Sequence, residues 1–218
     1  MIKNILDVFR EYFLILKLKI LSIVHKTPPA IWNIGEKQAL IIPGFGGNWY
    51  CLKQIGDVLN RKGYKIIPVK NLVHGTLSIE ESVNRVKNLI DKNDLKNFVI
   101  VAHSKGGIIA KELLLLPDYE RRINKAICIA VPFGGSVFGK LKVFNLEEIE
   151  PGSKLLVRQN AITSVNSKIV NIYPSLDNHV IPNKNLTIKG AINIKLDIVG
   201  HTRILFSKSI KKEIEKVT

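Results

Sequence analysis

The sequence predicts an α/β protein built on about six mostly parallel strands with helices on both faces of the sheet. Three observations carry this. Short apolar runs alternate with longer amphipathic stretches along the chain. The apolar runs are continuous, as strands buried on both faces must be. Glycine or proline punctuates most of the junctions. A chain of 218 residues, 46% hydrophobic and 23% charged, has the length and composition for one real core.

The elements follow in order. "QALIIP" (38–43) stops at Pro43 and a glycine cluster, and reads as the first strand. "WYCLKQIGDVLNRKG" reads as a helix closing on Gly63, and "YKIIPV" (64–69) as the next strand. "SIEESVNRVKNLIDK" opens with Ser78 and Glu81 in capping-box spacing and lines Ile79, Val83, Val86 and Ile90 along one face. "NFVIVA" is a strand, "GIIAKELLLL" a helix and "KAICIAV" a strand ending at Pro132. "KIVNIY" and "AINIKLDIV" are further strands, and "SKSIKKEIEKV" is a closing amphipathic helix. The span from Pro132 to the strand near 169 is too short for a separate cap domain.

Residues 1–30 stand apart from this rhythm, and 31–218 are expected to form the catalytic domain. In "MIKNILDVFREYFLILKLKILSIVHK", helical spacing puts Ile2, Ile5, Phe9, Phe13, Leu16, Ile20, Ile23 and Val24 on one face. Lys3, Asp7, Glu11, Ser22 and Lys26 fall on the other, with Lys17 and Lys19 at the flanks. Charge interrupts the run too often for a spanning helix, and no small-residue cleavage site follows. Either the helix lies in a membrane interface, or it packs on its own domain or a second copy. "TPPA" ends it. The expected location is cytoplasmic, peripheral at a membrane.

The net charge of +15 suits an anionic surface, but it equally reflects a lysine-rich composition. The basic residues are spread along the chain, so no nucleic-acid partner is expected. Cys51 and Cys128 are far apart and form no disulfide framework. No His/Cys/Asp/Glu set has zinc spacing, so neither a metal nor a cofactor is expected.

The chemistry centres on "VIVAHSKGGIIA". A nucleophilic serine at a strand end must sit on a sharp, strained turn before a helix. Only small residues two before and two after it fit, and Ala102 and Gly106 flank Ser104 at those places. Such a serine needs a histidine to take its proton and a carboxylate to orient the histidine. Asp177 follows one late strand and His201 the last. Among rivals, His179 is two residues from Asp177, and Asp197 lies inside a strand that should keep it from the imidazole. Asp118 reads as a surface residue and His25 as solvated; His74 falls in a loop that could line the cleft. The side chain of His103 should point away from the cleft. Two N–H donors are expected for the oxyanion: Lys105 after the nucleophile, and Phe45 in the "PGFGGNW" loop beside Gly44. That loop lacks the spacing of a phosphate loop.

These motifs together resemble the α/β-hydrolases, and among them the small bacterial lipases and esterases. "PGFGG" is similar to their H-G-x-G-G loop, with Pro43 in place of histidine. "AHSKGG" resembles A-H-S-M-G-G, with Lys105 in place of methionine. "VPFGGS" resembles T-P-x-x-G-S, and "LEEIEPGSKLL" the L-x-P-G-S-x-x-L lead-in shared with the GPI-inositol deacylase group. "DNHVIP" and "VGH" match the acid and histidine turns. The resemblance spans roughly 38–210 and implies cleavage of carboxylic esters, lipid or acyl, through an acyl-enzyme on Ser104, His201 and Asp177. Lys105 is expected to reach the cleft mouth or be solvated. An acyltransferase or thioesterase with the same triad, or a non-catalytic membrane module, remains open at this point.

Overall fold

The computed structural model describes residues 2–218, with side chains from Leu6 onward. Six parallel strands form one sheet: β1 (Lys37–Ile42), β2 (Tyr64–Pro68), β3 (Phe98–His103), β4 (Ile123–Ile129), β5 (Ile169–Leu176) and β6 (Ile192–Val199). Their spatial order is β2-β1-β3-β4-β5-β6. The order reverses beside β1, so the loops leaving β1 and β3 diverge and open a crevice at their carboxyl ends.

Strand alternation splits the core into two layers. Leu40, Ile42, Ile100 and Ala102 face α3 (Ile79–Lys92), α4 (Lys105–Leu114) and α6 (Lys154–Ala161). Ala39, Ile41, Val99 and Val101 face α2 (Lys53–Arg61) and α7 (Lys208–Val217). A four-residue turn, α5 (Pro117–Glu120), precedes β4. In α3 the expected stripe is buried, and each such side chain contributes about 1.5–3 kcal/mol. Ser78 caps that helix, its hydroxyl accepting the Glu81 N–H at 3.1 Å. Between β4 and β5 lie short 3-10 turns and α6.

The first helix, α1 (Ile2–Val24), runs beside the Trp49–Leu52 turn and the end of β6. It packs through the face assigned as polar and leaves the apolar stripe exposed, so that stripe does not pack on the domain, as one of the two expectations had it. Asp7 and Glu11, assigned to the polar side, are buried against the domain, as is Leu18. Phe9, Phe13, Leu16, Ile20, Ile23 and Val24 point outward. The reason is local: Thr202 and Arg203 open a 3-10 turn whose free N–H groups need acceptors, and a carboxylate satisfies two at once. Ile2, Lys3 and Ile5 lie outside the described side chains.

Candidate active site

β3 delivers Ser104 onto a backbone at φ 53°, ψ −127°, a left-handed position that costs on the order of 1–3 kcal/mol and marks a functional turn. The turn is held by the Ser104 N–H to the Ile129 carbonyl and the Gly107 N–H to the Ser104 carbonyl, both 2.9 Å. A Cβ on Gly106 would come within 2.5 Å of the Ile42 carbonyl oxygen, and one on Gly44 within 2.7 Å of the Ser104 Cβ. Any larger residue at these places would push the β1 loop and the serine apart. Ala102 is fully buried beside Ile42.

β5 and β6 bring the other two predicted residues together. His201 Nδ1–H donates to Asp177 Oδ2 at 2.8 Å. Asp177 Oδ1 accepts the backbone N–H groups of His179 and Val180 at 2.8 and 2.9 Å. Burial alone would raise the Asp177 carboxyl, but the His201 charge and these hydrogen bonds outweigh it and hold it below the usual carboxylate value. Burial likewise opposes charge on His201. The Asp177 charge and hydrogen bond, with a smaller contribution from Glu11, raise it above the ordinary imidazole value.

Ser104 and His201 share a cavity of about 330 Å³ with Gly44, Phe45, His103 and His179. Its remaining wall is mostly apolar: Leu18 and Ile15 of α1, then Phe138, Leu141, Leu146 and Ile149. Phe45 leans toward Phe144, ring centroids 6.1 Å apart.

The expectations for Lys105, His103 and His74 are corrected here, while those for His25 and Asp197 stand. Lys105 neither reaches the cleft mouth nor meets solvent. Its side chain is buried, and Nζ donates to the Leu77 carbonyl at 2.7 Å, so it braces the loop that packs under Gly44. His103 does not point away from the cleft. It lines the cavity, its ring lies tilted against that of His201 with centroids 4.8 Å apart, and its Nε2 donates to the His201 carbonyl at 3.1 Å. Burial and the neighbouring His201 charge pull its pKa down to about 3, so it is neutral at any ordinary pH. His74 does not line the cavity; its carbonyl accepts the Gly46 N–H at 2.6 Å and fixes the glycine loop. His25 is exposed and stacks on Tyr50 at 4.7 Å. Asp197 is engaged with Ser175 and is not part of the cavity.

Three contributors escaped sequence reasoning. Glu11 Oε1 and Oε2 accept the Thr202 and Arg203 N–H groups at 2.6 and 2.9 Å, just beyond His201. Asn178 Oδ1 accepts the His201 N–H at 3.1 Å, and Asn183 Oδ1 accepts the Asp177 N–H at 2.9 Å. Two asparagines within six residues of the acid were the available signal for the last two; nothing pointed to Glu11.

Asp177, His179 and His201 also offer ligand atoms within 4.8 Å of one another, the one such metal-ligating group among the described residues. Asp177 Oδ2 and His201 Nδ1 are bonded to each other, so a metal there would have to break that bond.

The PGAP1-like alpha/beta domain family matches residues 67–213, about two thirds of the chain. The chain belongs to this family. The PGAP1-like domain is also similar in fold to solved α/β-hydrolases. BpoC of Mycobacterium tuberculosis H37Rv, described as a non-heme bromoperoxidase, superimposes with a TM-score of 0.68 at 14% identity, over 84% of this chain and 92% of that one. The Paleococcus ferrophilus monoacylglycerol lipase gives 0.64 at 12% identity, over 84% and 97%. Bacillus licheniformis lipase BlEst2 gives 0.64 at 12%, over 88% and 94%. No curated protein matches the sequence. The PGAP1-like domain is therefore an α/β-hydrolase in fold.

Proposed function

We propose that the protein is a serine hydrolase that cleaves carboxylic esters of lipids or other acyl compounds through an acyl-enzyme. The observation that carries this is the His201–Asp177 bond of 2.8 Å opening onto the same apolar cavity as a serine held at φ 53°. In this reading Ser104 Oγ attacks the ester carbonyl while His201 Nε2 takes its proton. Asp177 fixes the tautomer and balances the imidazolium. The Lys105 and Phe45 N–H groups receive the oxyanion. His201 returns the proton to the leaving alcohol, and water then repeats the attack on the acyl-enzyme. The apolar wall from Leu18 to Ile149 suits an acyl chain.

The test is labelling by a fluorophosphonate, which reacts with activated serines, alongside hydrolysis of p-nitrophenyl esters of graded chain length. The parent should label and turn over. Ser104→Ala should lose labelling and several orders of magnitude in kcat, keeping only the residual rate of the oxyanion site. A variant that labels and hydrolyses like the parent overturns the reading.

A further inference from the structure

α1 has two faces with different charges. Both of its acidic residues, Asp7 and Glu11, are spent on the domain: Asp7 on Arg203 at 2.9 Å, Glu11 on the backbone beyond His201. The outward face keeps Phe9, Phe13, Leu16, Ile20, Ile23 and Val24, each more than half exposed. One exposed apolar side chain is ordinary, but six along one helix face form a patch with a purpose. Lys17 borders the patch on one edge and Lys19 on the other, with Lys26 just past the helix end, all exposed; Arg10, also exposed, pairs with Asp7 at 3.2 Å. No carboxylate shares this outer face among the described residues.

A second segment repeats the pattern. In "VFGKLKVF" (137–144), Leu141, Val143 and Phe144 are exposed beside Lys140 and Lys142. Both segments line the active-site cavity, α1 through Ile15 and Leu18 and the other through Phe138 and Leu141. They also meet over His179, whose ring lies 5.9 Å from Tyr12 and 6.1 Å from Phe138. The cavity is thus bordered on two sides by apolar, lysine-bearing chain.

We propose that this surface docks on an anionic lipid bilayer, with the α1 face in the interface and the cavity opening toward the lipid. The charge pattern selects the occupant. A second copy packed face to face would set Lys17, Lys19 and Lys26 against themselves, with no carboxylate on that face to meet them. Anionic headgroups supply that counter-charge, and long lysine stems reach them while the aromatic and aliphatic groups enter the acyl boundary. The inference rests on the ester-hydrolase reading only for what enters the cavity; the docking itself does not require turnover.

The experiment therefore uses full-length protein carrying Ser104→Ala, sedimented with phosphatidylcholine vesicles and with mixed phosphatidylcholine–phosphatidylglycerol vesicles. The protein should pellet with the mixed vesicles and much less with phosphatidylcholine alone. Adding Phe13→Glu and Ile20→Glu should cut the bound fraction about tenfold or more at an unchanged melting temperature. Lys17→Glu with Lys26→Glu, at exposed positions that leave the core untouched, should weaken binding to the mixed vesicles only. Lack of binding by the parent, or binding that neither pair of substitutions reduces, overturns the proposal. So does a stable dimer in sedimentation equilibrium that Phe13→Glu and Ile20→Glu dissociate, which would assign the face to a second copy. If the Ser104→Ala protein binds vesicles but the wild-type protein fails to label with fluorophosphonate, the docking stands and only the hydrolase reading is removed.

Discussion

Two carboxylates act on His201, Asp177 through Nδ1 and Glu11 through the backbone that follows. Their roles are separable. Asp177→Asn cannot hold the Nδ1–H tautomer, and kcat should fall about 10⁴-fold. Asp197→Asn, at a strand position bonded to Ser175, should leave kcat near the parent's; parallel kinetics on the two variants check the pair. Glu11→Gln removes a negative charge that raises the His201 pKa. In the proposed mechanism His201 must be neutral to accept the serine proton, so kcat/KM should rise with pH through that pKa. The acidic limb of the profile should therefore move to lower pH in Glu11→Gln, whereas a purely structural role for Glu11 would lower the plateau without moving the limb. The placement of Ser104 and His201 on one cavity, with Asp177 bonded to His201, was legible because each ends a recognisable strand, and strand ends converge in a parallel sheet. His103 and Lys105 were misread because a side chain's direction on a strained turn depends on backbone angles that residue identity does not specify.

At the scale of elements, the six strands and the helices α2, α3, α4 and α7 were legible because their periodicity and their burial agree. α1 was legible as a helix, but its inward face was not. Periodicity ranks faces by apolarity but does not say whether the apolar one packs inward or meets a membrane. Here two backbone N–H groups at Thr202 and Arg203 draw a charged face inward instead. Gly200 records the same contact from the other side. It sits at φ 118°, and a Cβ there would stand 2.5 Å from Glu11 Oε2. The small residue before His201 is thus required by the helix as well as by the turn.

Across the whole molecule, three histidines crowd the site, and their linkage to folding can be read from the direction of each shift. His103 and His179 are held neutral, with pKa values lowered to about 3 and about 4, burial being the first cause in each. Below the ordinary imidazole pKa of about 6.5 the unfolded chain binds protons that these two refuse in the native state. Stability should therefore fall as pH drops from about 6.5 toward 4. His201 is shifted the other way, so its stabilising contribution is already complete below about 6.5 and does not offset the loss. Asp177, lowered from 3.8, begins to lose its contribution only at the acid end of this window. Urea melts at pH 6.5, 5.5 and 4.5 should show a steadily falling midpoint; a flat midpoint would mean that both histidines are solvated.

The contact between Glu11 and Thr202 joins residues 191 positions apart. Its consequence lies in the order in which the chain is made. At a synthesis rate of roughly 5–20 residues per second, the helix waits about 10–40 s for the turn that receives its carboxylate. During that interval Ser104 and its sheet neighbours β1 and β4 have all been made, while His201 has not. Under the proposed mechanism, a nascent chain would carry the nucleophile's position with no means of activating it. The turn after His201 thus completes two things at once, the pairing of His201 with Asp177 and the seating of the first helix.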